Sequence, residues 1–168
     1  MPTTSHLYLT IYSYFLSLVG VGYALYYFYI GVVFGFNDRL LLQIITNGPM
    51  MLLLAVGLLL LFSFRVGWWL HMIVFTQLLL AKVVSLIGEV ILSQTGLFYE
   101  DLSVSAVFLD ISVVLLYIVA LLVFTSDSVK QLIHVKTETL RIHPYWIIII
   151  FAIMLYAIEI SLSLYLIA

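Results

Sequence analysis

The sequence predicts an all-α, polytopic transmembrane helical bundle with about five spans. Of its 168 residues, 65% are hydrophobic and only 8% are charged, whereas soluble globular domains carry about 45–50% apolar and about 25% charged residues. The mean hydropathy is +1.28, and the apolar runs reach the roughly 20 residues that a helix needs to cross a bilayer. No segment outside these apolar runs is left over for a soluble domain, so we expect residues 1–168 to form a single transmembrane domain. The spans are predicted at about 7–36, 41–64, 67–92, 104–125 and 145–167.

Composition also excludes several classes of protein. The formal net charge is −2 and cysteine is absent, which argues against a nucleic-acid partner and against a disulfide-stapled secreted domain. No glycine-rich phosphate loop and no nucleophile motif is present. We therefore expect a multi-pass protein of the cell or cytoplasmic membrane, or of an organellar inner membrane.

The first span, 7–36, contains no charge and no proline. No Lys or Arg precedes it, so we expect a retained span rather than a secretory signal peptide. Small residues at Gly20, Ala24, Gly31 and Gly35 fall within about 60° of one helix face. Such residues let two helices approach closely, so this face is predicted to pack against another span or another subunit.

The second span is interrupted by proline, which either kinks the helix or marks its true start. The sequence leaves open whether this span begins at Leu40 or at Pro49. A very short turn with Arg65 at its tip leads into the third span. The two indoles that follow, Trp68 and Trp69, are expected at the level of the lipid headgroups, where amphipathic rings collect.

The distribution of cations predicts the orientation. With five spans the second and fourth loops share one side, and they hold four cations, whereas the first and third loops hold only Arg39. Because positive loops stay in the cytoplasm, we expect the N-terminus inside and the C-terminus outside. The four cations assigned to the inner side are Arg65, Lys130, Lys136 and Arg141.

The fourth loop contains an amphipathic pattern over about 127–141. If Asp127 caps a helix, Val129 and Leu132 fall on an apolar face and Lys130 falls on the opposite, polar face. This pattern favours a helix that lies in the membrane interface. An ordinary solvated connector is the alternative interpretation.

Four ionisable residues fall inside the predicted spans, namely Lys82, Glu89, Asp110 and Glu159. A charge at the centre of a transmembrane helix costs about 2.5–3.5 kcal/mol on insertion scales, so the presence of these residues requires a structural or functional explanation. At 1.5 Å per residue, all except Glu89 lie within about 7 Å of the midplane. In the third span His71, Lys82 and Glu89 fall within about 20° of one face.

We expect this face to point into the bundle, where Lys82 pairs with Asp110 or Glu159. The carboxyl group left without a cation is expected to hold a proton, which makes the cluster a candidate ion or proton site. The alternative is a helix-locking ion pair, with Glu89 at the outer headgroups and the remaining acid pairing with a partner subunit. His71 is a candidate ligand, but no metal site and no cofactor is expected, because no paired-histidine or cysteine spacing accompanies it.

Three functions follow from these observations. The leading hypothesis is a non-enzymatic membrane component of a homo-oligomer or of a larger membrane complex, with the Lys82, Asp110 and Glu159 cluster organising the bundle. The second is a proton- or ion-conducting channel or transporter in which the same residues line the path. The third is a membrane redox or lipid enzyme that uses His71 and the tyrosines of the first span.

Overall fold

A computed structural model describes residues 4–95, 104–135 and 145–167 of the chain. All secondary structure within these ranges is helical, as predicted. The helices are α1 (Thr4–Phe34), α2 (Asp38–Thr46), α3 (Gly48–Leu61), α4 (Arg65–Gln94), α5 (Val104–Thr125), α6 (Asp127–Leu132) and α7 (Trp146–Ile167).

Four of these helices, α1, α4, α5 and α7, are each long and apolar enough to cross a membrane. Helices α2 and α3 satisfy the same criteria when taken together as one span, and the chain bends by 49° between them. The described part of the chain therefore has four helices that are long and apolar enough to span a membrane, or five such spans if the bent pair forms one. Each predicted span overlaps one of these helices or the bent pair, and 104–125 coincides with α5.

The break between α2 and α3 lies at Asn47 and follows from the proline after it. Pro49 lacks a backbone N–H and cannot sit in a helix interior without losing a hydrogen bond, but it is tolerated in a first turn. Asn47 closes both helix ends, because its N–H donates to the Gln43 carbonyl at 3.0 Å and its carbonyl accepts from the Met50 N–H at 3.0 Å. Asn37 caps the start of α2 by accepting from the Leu40 N–H at 2.8 Å. A helix therefore starts close to each of the two positions that the sequence left open, α2 near Leu40 and α3 near Pro49.

Helix α4 lies at the centre of the bundle and contacts α3, α5 and α7. Helix α1 packs mainly against α3, and α2 packs against α7. The short α6 contacts both α1 and α5. Because α4 reaches most of the other long helices, its side chains decide which polar groups meet inside the bundle.

Small residues bring α1 and α3 together, although only part of the predicted set does so. A Cβ on Gly20 would overlap the backbone of Leu54, and a Cβ on Gly57 would overlap Ser13 and Ser17. In contrast, Gly31 faces the ring of Phe36, which follows α1 directly in the chain, and not a neighbouring helix. The glycine after α1, Gly35, has φ +81 and terminates the helix rather than packing against a neighbour. No contact is assigned to Ala24, which is half-buried.

The predicted interfacial helix over 127–141 is shorter in the structure. Ser126 is the N-cap residue, Asp127 lies in the first turn, and the helix ends at Leu132. His134 then adopts φ +55, which is incompatible with a continuing helix. Residues 136–141 of the prediction lie outside the described residues. Lys130, expected on the polar face, is buried instead, with its ammonium 3.6 Å from Asp127 and 5.8 Å from the ring centroid of Tyr145.

Candidate functional site

The only cation within the predicted spans, Lys82, forms an ion pair with Asp110. The Lys82 Nζ lies 2.7 Å from the Asp110 Oδ1, and the two side chains are 27% and 16% exposed. This contact joins α4 to α5. Of the two partners that the sequence offered for Lys82, the structure selects Asp110.

The remaining deep carboxylate, Glu159, contacts a different residue of α4. The Gln77 Nε2 donates a hydrogen bond to the Glu159 Oε2 at 2.6 Å, and Gln77 is 1% exposed. This contact joins α4 to α7. Gln77 was not identified from the sequence, although an amide five residues before Lys82 in an otherwise apolar stretch was a usable signal.

The predicted three-residue cluster is therefore divided into two contacts on different sides of α4. Residues 77 and 82 are five positions apart, which separates them by about 140° around the helix axis. Among the described residues, no ion pair joins Lys82 to Glu159. Glu89 lies at the exposed outer part of α4, where its carboxylate accepts a hydrogen bond from the Ser85 hydroxyl at 3.0 Å.

The third polar contact of α4 involves His71, which is fully buried. Its Nε2 lies 2.8 Å from the hydroxyl oxygen of Tyr12, so this hydrogen bond joins α4 to α1. The imidazole stacks between two phenyl rings, with centroid distances of 4.2 Å to Phe75 and 3.7 Å to Phe124. Its Nδ1 is buried and has no hydrogen-bond partner in the part of the chain that the structure describes.

Two of the three residues that the sequence grouped on one face of α4 contact α5. His71 stacks on Phe124 of α5 and Lys82 pairs with Asp110 of α5. Glu89, the third, is exposed and contacts Ser85 of its own helix. Among the described residues, no group of three or more His, Cys, Asp or Glu side chains is arranged to hold a metal ion.

Trp68 also makes a contact inside the bundle. It is fully buried, and its indole N–H donates to the Phe124 carbonyl at 2.8 Å. The last four carbonyls of a helix have no partner within that helix. Trp68 satisfies one of them at the end of α5, which places the start of α4 beside the end of α5.

An apolar cleft of about 600 Å³ opens beside Tyr12. Tyr8 and Phe15 of α1 form one wall, Leu116 and Val119 of α5 form the other, and α6 closes one end. All four of these side chains are exposed, so the cleft opens towards the outer surface of the bundle. A lipid-like molecule could enter such a cleft from the bilayer.

A smaller cavity of about 260 Å³ lies where α2 and α3 meet. Gly48 and Pro49 line it on the side of the break, and Glu159 lines it on the side of α7. The residue whose carboxylate hydrogen-bonds to Gln77 therefore also borders an open cleft at the surface of the bundle.

Comparisons with protein-family models, with curated proteins and with solved structures find no match to this chain. Its function therefore has to be inferred from the geometry of these contacts. Within the described residues, polar side chains of α4 contact each of α1, α5 and α7.

Proposed function

We propose that this chain is a non-enzymatic membrane component that works as a homo-oligomer or within a larger membrane complex. In this proposal the polar side chains of α4 set the arrangement of the surrounding helices. The observation that carries it is that polar contacts of α4 reach three different helices: His71 contacts α1, Lys82 and Trp68 contact α5, and Gln77 contacts α7.

Polar contacts of this kind act as connectors between transmembrane helices. Lipid tails are as apolar as Leu, so hydrophobicity alone does not favour one rotation of a spanning helix over another. A hydrogen bond or ion pair between two spans does favour one rotation, because any other rotation leaves a polar group unpaired in hydrocarbon. His71 and Lys82 share one face of α4 but contact different helices, and Gln77 lies about 140° around the axis from Lys82. This arrangement suits connectors better than the lining of one continuous path.

The sparse burial of the outer helices supports the assembly part of the proposal. Of the α5 residues whose burial is described, only Tyr117 and Phe124 are buried, and in α7 only Ile148 and Ala152 are. Both helices expose many large apolar side chains. In a membrane these faces are covered by lipid or by other subunits, and the proposal assigns part of this surface to subunits.

The proposed location is a cell or cytoplasmic membrane, or an organellar inner membrane, with the N-terminus in the cytoplasm or matrix. The Trp68 contact to the end of α5 and the Lys130 contact with Tyr145 place Arg65 and Lys130 at the same end of the bundle. Under the positive-inside rule this end faces the cytoplasm.

The assembly can be tested by cross-linking, because the chain has no cysteine and any introduced thiol is unique. Leu116→Cys, on the exposed face of α5, should form disulfide-linked dimers or link to a fixed partner in native membranes. Val74→Cys, which is fully buried, is the matched control and should not. Native mass measurement of the purified protein should then give a multiple of 19.1 kDa or a fixed hetero-complex. A single chain in both measurements contradicts the proposal.

The apolar cleft beside Tyr12 favours a second candidate function, the binding of a lipid-like molecule as a membrane lipid enzyme or lipid carrier would require. Its support is the open side of the cleft together with Tyr12, which lines the cleft and shares a hydrogen bond with the buried His71. A photoreactive fatty-acyl probe in vesicles should label residues of the cleft, and Ala120→Trp, which fills it, should abolish the labelling. Ala157→Trp, at an exposed alanine of α7, is the control. Equal labelling of both variants removes this candidate.

A further inference from the structure

Glu159 differs from the other deep carboxylate in having no positive partner. Asp110 is paired with Lys82, whereas the one hydrogen bond to the Glu159 carboxyl group within the described ranges comes from the neutral amide of Gln77. An unpaired carboxylate inside a bilayer is costly, so Glu159 requires a compensating group.

No charged residue on the helices around α7 provides that compensation. None of the groups on α7, on α2 or on α4 forms an ion pair with Glu159 among the described residues. The titratable or charged groups of these helices are Tyr156 and Tyr165 on α7, Asp38 and Arg39 on α2, and Arg65, His71, Lys82 and Glu89 on α4.

The amide of Gln77 has an unused oxygen beside this carboxylate. Its Nε2 donates to Glu159, but its Oε1 is buried without a hydrogen-bond partner in the described part of the chain. Buried polar atoms are nearly always satisfied in proteins, so the Gln77 Oε1 calls for a hydrogen-bond donor beside it.

A proton on Glu159 completes the arrangement. A protonated carboxyl group has one O–H donor and one carbonyl acceptor. Its carbonyl oxygen can accept from the Gln77 Nε2 while its O–H donates to the Gln77 Oε1, which closes a ring of two hydrogen bonds between acid and amide. The same proton removes the unpaired negative charge and satisfies the buried amide oxygen.

The surroundings of Glu159 suit a site that exchanges its proton. Glu159 lies about 4 Å from the middle of α7 at 1.5 Å per residue, and it lines the cavity at the break between α2 and α3. In secondary transporters, substrate and ion sites lie near mid-depth beside broken helices, where helix ends and unwound backbone face the site. We propose that Glu159 and Gln77 form a reversible proton-binding site at the break between α2 and α3. This site goes beyond the proposed function and does not depend on the chain forming an assembly.

A hydrophobic carbodiimide tests the proposal, since this reagent modifies protonated carboxyl groups in apolar surroundings. The full-length protein in lipid vesicles is treated over a range of pH, and the modified residues are identified by mass spectrometry. Glu159 should be modified about tenfold or more above Asp110, a ratio that needs only about 1.4 kcal/mol of difference between the two sites. Modification of Glu159 should fall as the pH rises.

Two controls keep the result interpretable. Lys82→Met should make Asp110 reactive, because that carboxyl group then also lacks a cation, and this shows that the reagent reports protonation rather than access alone. Replacing choline with sodium at constant pH should leave the modification of Glu159 unchanged. The proposal is overturned if Glu159 is unmodified at every pH, if its modification does not depend on pH, or if sodium protects it, since protection identifies a sodium site instead. The wild-type protein provides each of these readouts, so none depends on whether a Glu159 variant folds.

Discussion

Replacing Lys82 with methionine should destabilise the bundle by about 3 kcal/mol. At the observed separation of 2.7 Å between Nζ and Oδ1, Coulomb's law with an effective dielectric constant of about 20 gives an attraction of about 6 kcal/mol, part of which offsets desolvation. Removing one partner of a buried pair typically costs about 3–5 kcal/mol, because the other charge is left unpaired. Since the two side chains remain 27% and 16% exposed, we expect the lower end of that range.

A second substitution identifies the partner. Lys82→Met combined with Asp110→Asn should recover more than half of the loss, because no uncompensated charge remains between α4 and α5. Lys82→Met combined with Glu159→Gln is the matched control. It should show effects that add within about 0.5 kcal/mol, because residues that share no partner behave independently.

The free energy of unfolding can be measured in mixed micelles by raising the fraction of SDS and following the fluorescence of the three tryptophans. The reasoning is refuted if Lys82→Met is as stable as the wild type. It is equally refuted if the coupling energy appears with Glu159 rather than with Asp110.

Three further outcomes are expected. Gly57→Leu should lower the free energy of unfolding by about 1–3 kcal/mol or more, because the larger side chain overpacks against α1. The control is Gly22→Leu, where a Cβ meets nothing within 4 Å, and it should change stability by less than about 0.5 kcal/mol. Equal losses in the two variants would show that α1 and α3 do not approach closely. Trp68→Phe should cost about 1–3 kcal/mol in the same unfolding assay, because a carbonyl at the end of α5 loses its donor, and an unchanged stability would contradict this hydrogen bond. A cysteine at Ser103 should react with an impermeant thiol reagent from outside the membrane and one at Thr137 only after the membrane is opened, whereas the reverse pattern would invert the proposed orientation.

The positions of the spans follow from local properties of the sequence. The hydropathy of each run sets where a helix can cross hydrocarbon, and the lack of an N–H in Pro49 predicts either a kink or a helix start near that residue. The short list of partners for Lys82 also follows from the sequence, because an intramembrane cation has to meet one of the few acids at its depth. These predictions need no knowledge of how the helices are rotated.

Small-residue patterns on a single helix identify candidate contact faces without ranking them. Gly31 and Gly35 have the spacing of a helix-packing motif, yet Gly35 terminates α1. Ser13, Ser17 and Gly20 repeat at similar spacing and do contact α3. The difference lies in where the neighbouring helix crosses, which depends on both helices at once.

Only the tertiary structure determines how each helix is rotated about its own axis. In a soluble protein the polar face of a helix points to water, but in a bilayer both the lipid-facing side and the buried side are apolar, so hydropathy does not separate them. The sequence therefore could not tell that Trp68 is buried, that Gln77 rather than Lys82 contacts Glu159, or that His71 lies between two phenyl rings. Each of these outcomes depends on which side of α4 faces α1, α5 or α7, and that is determined by packing and hydrogen bonding between helices distant in the sequence.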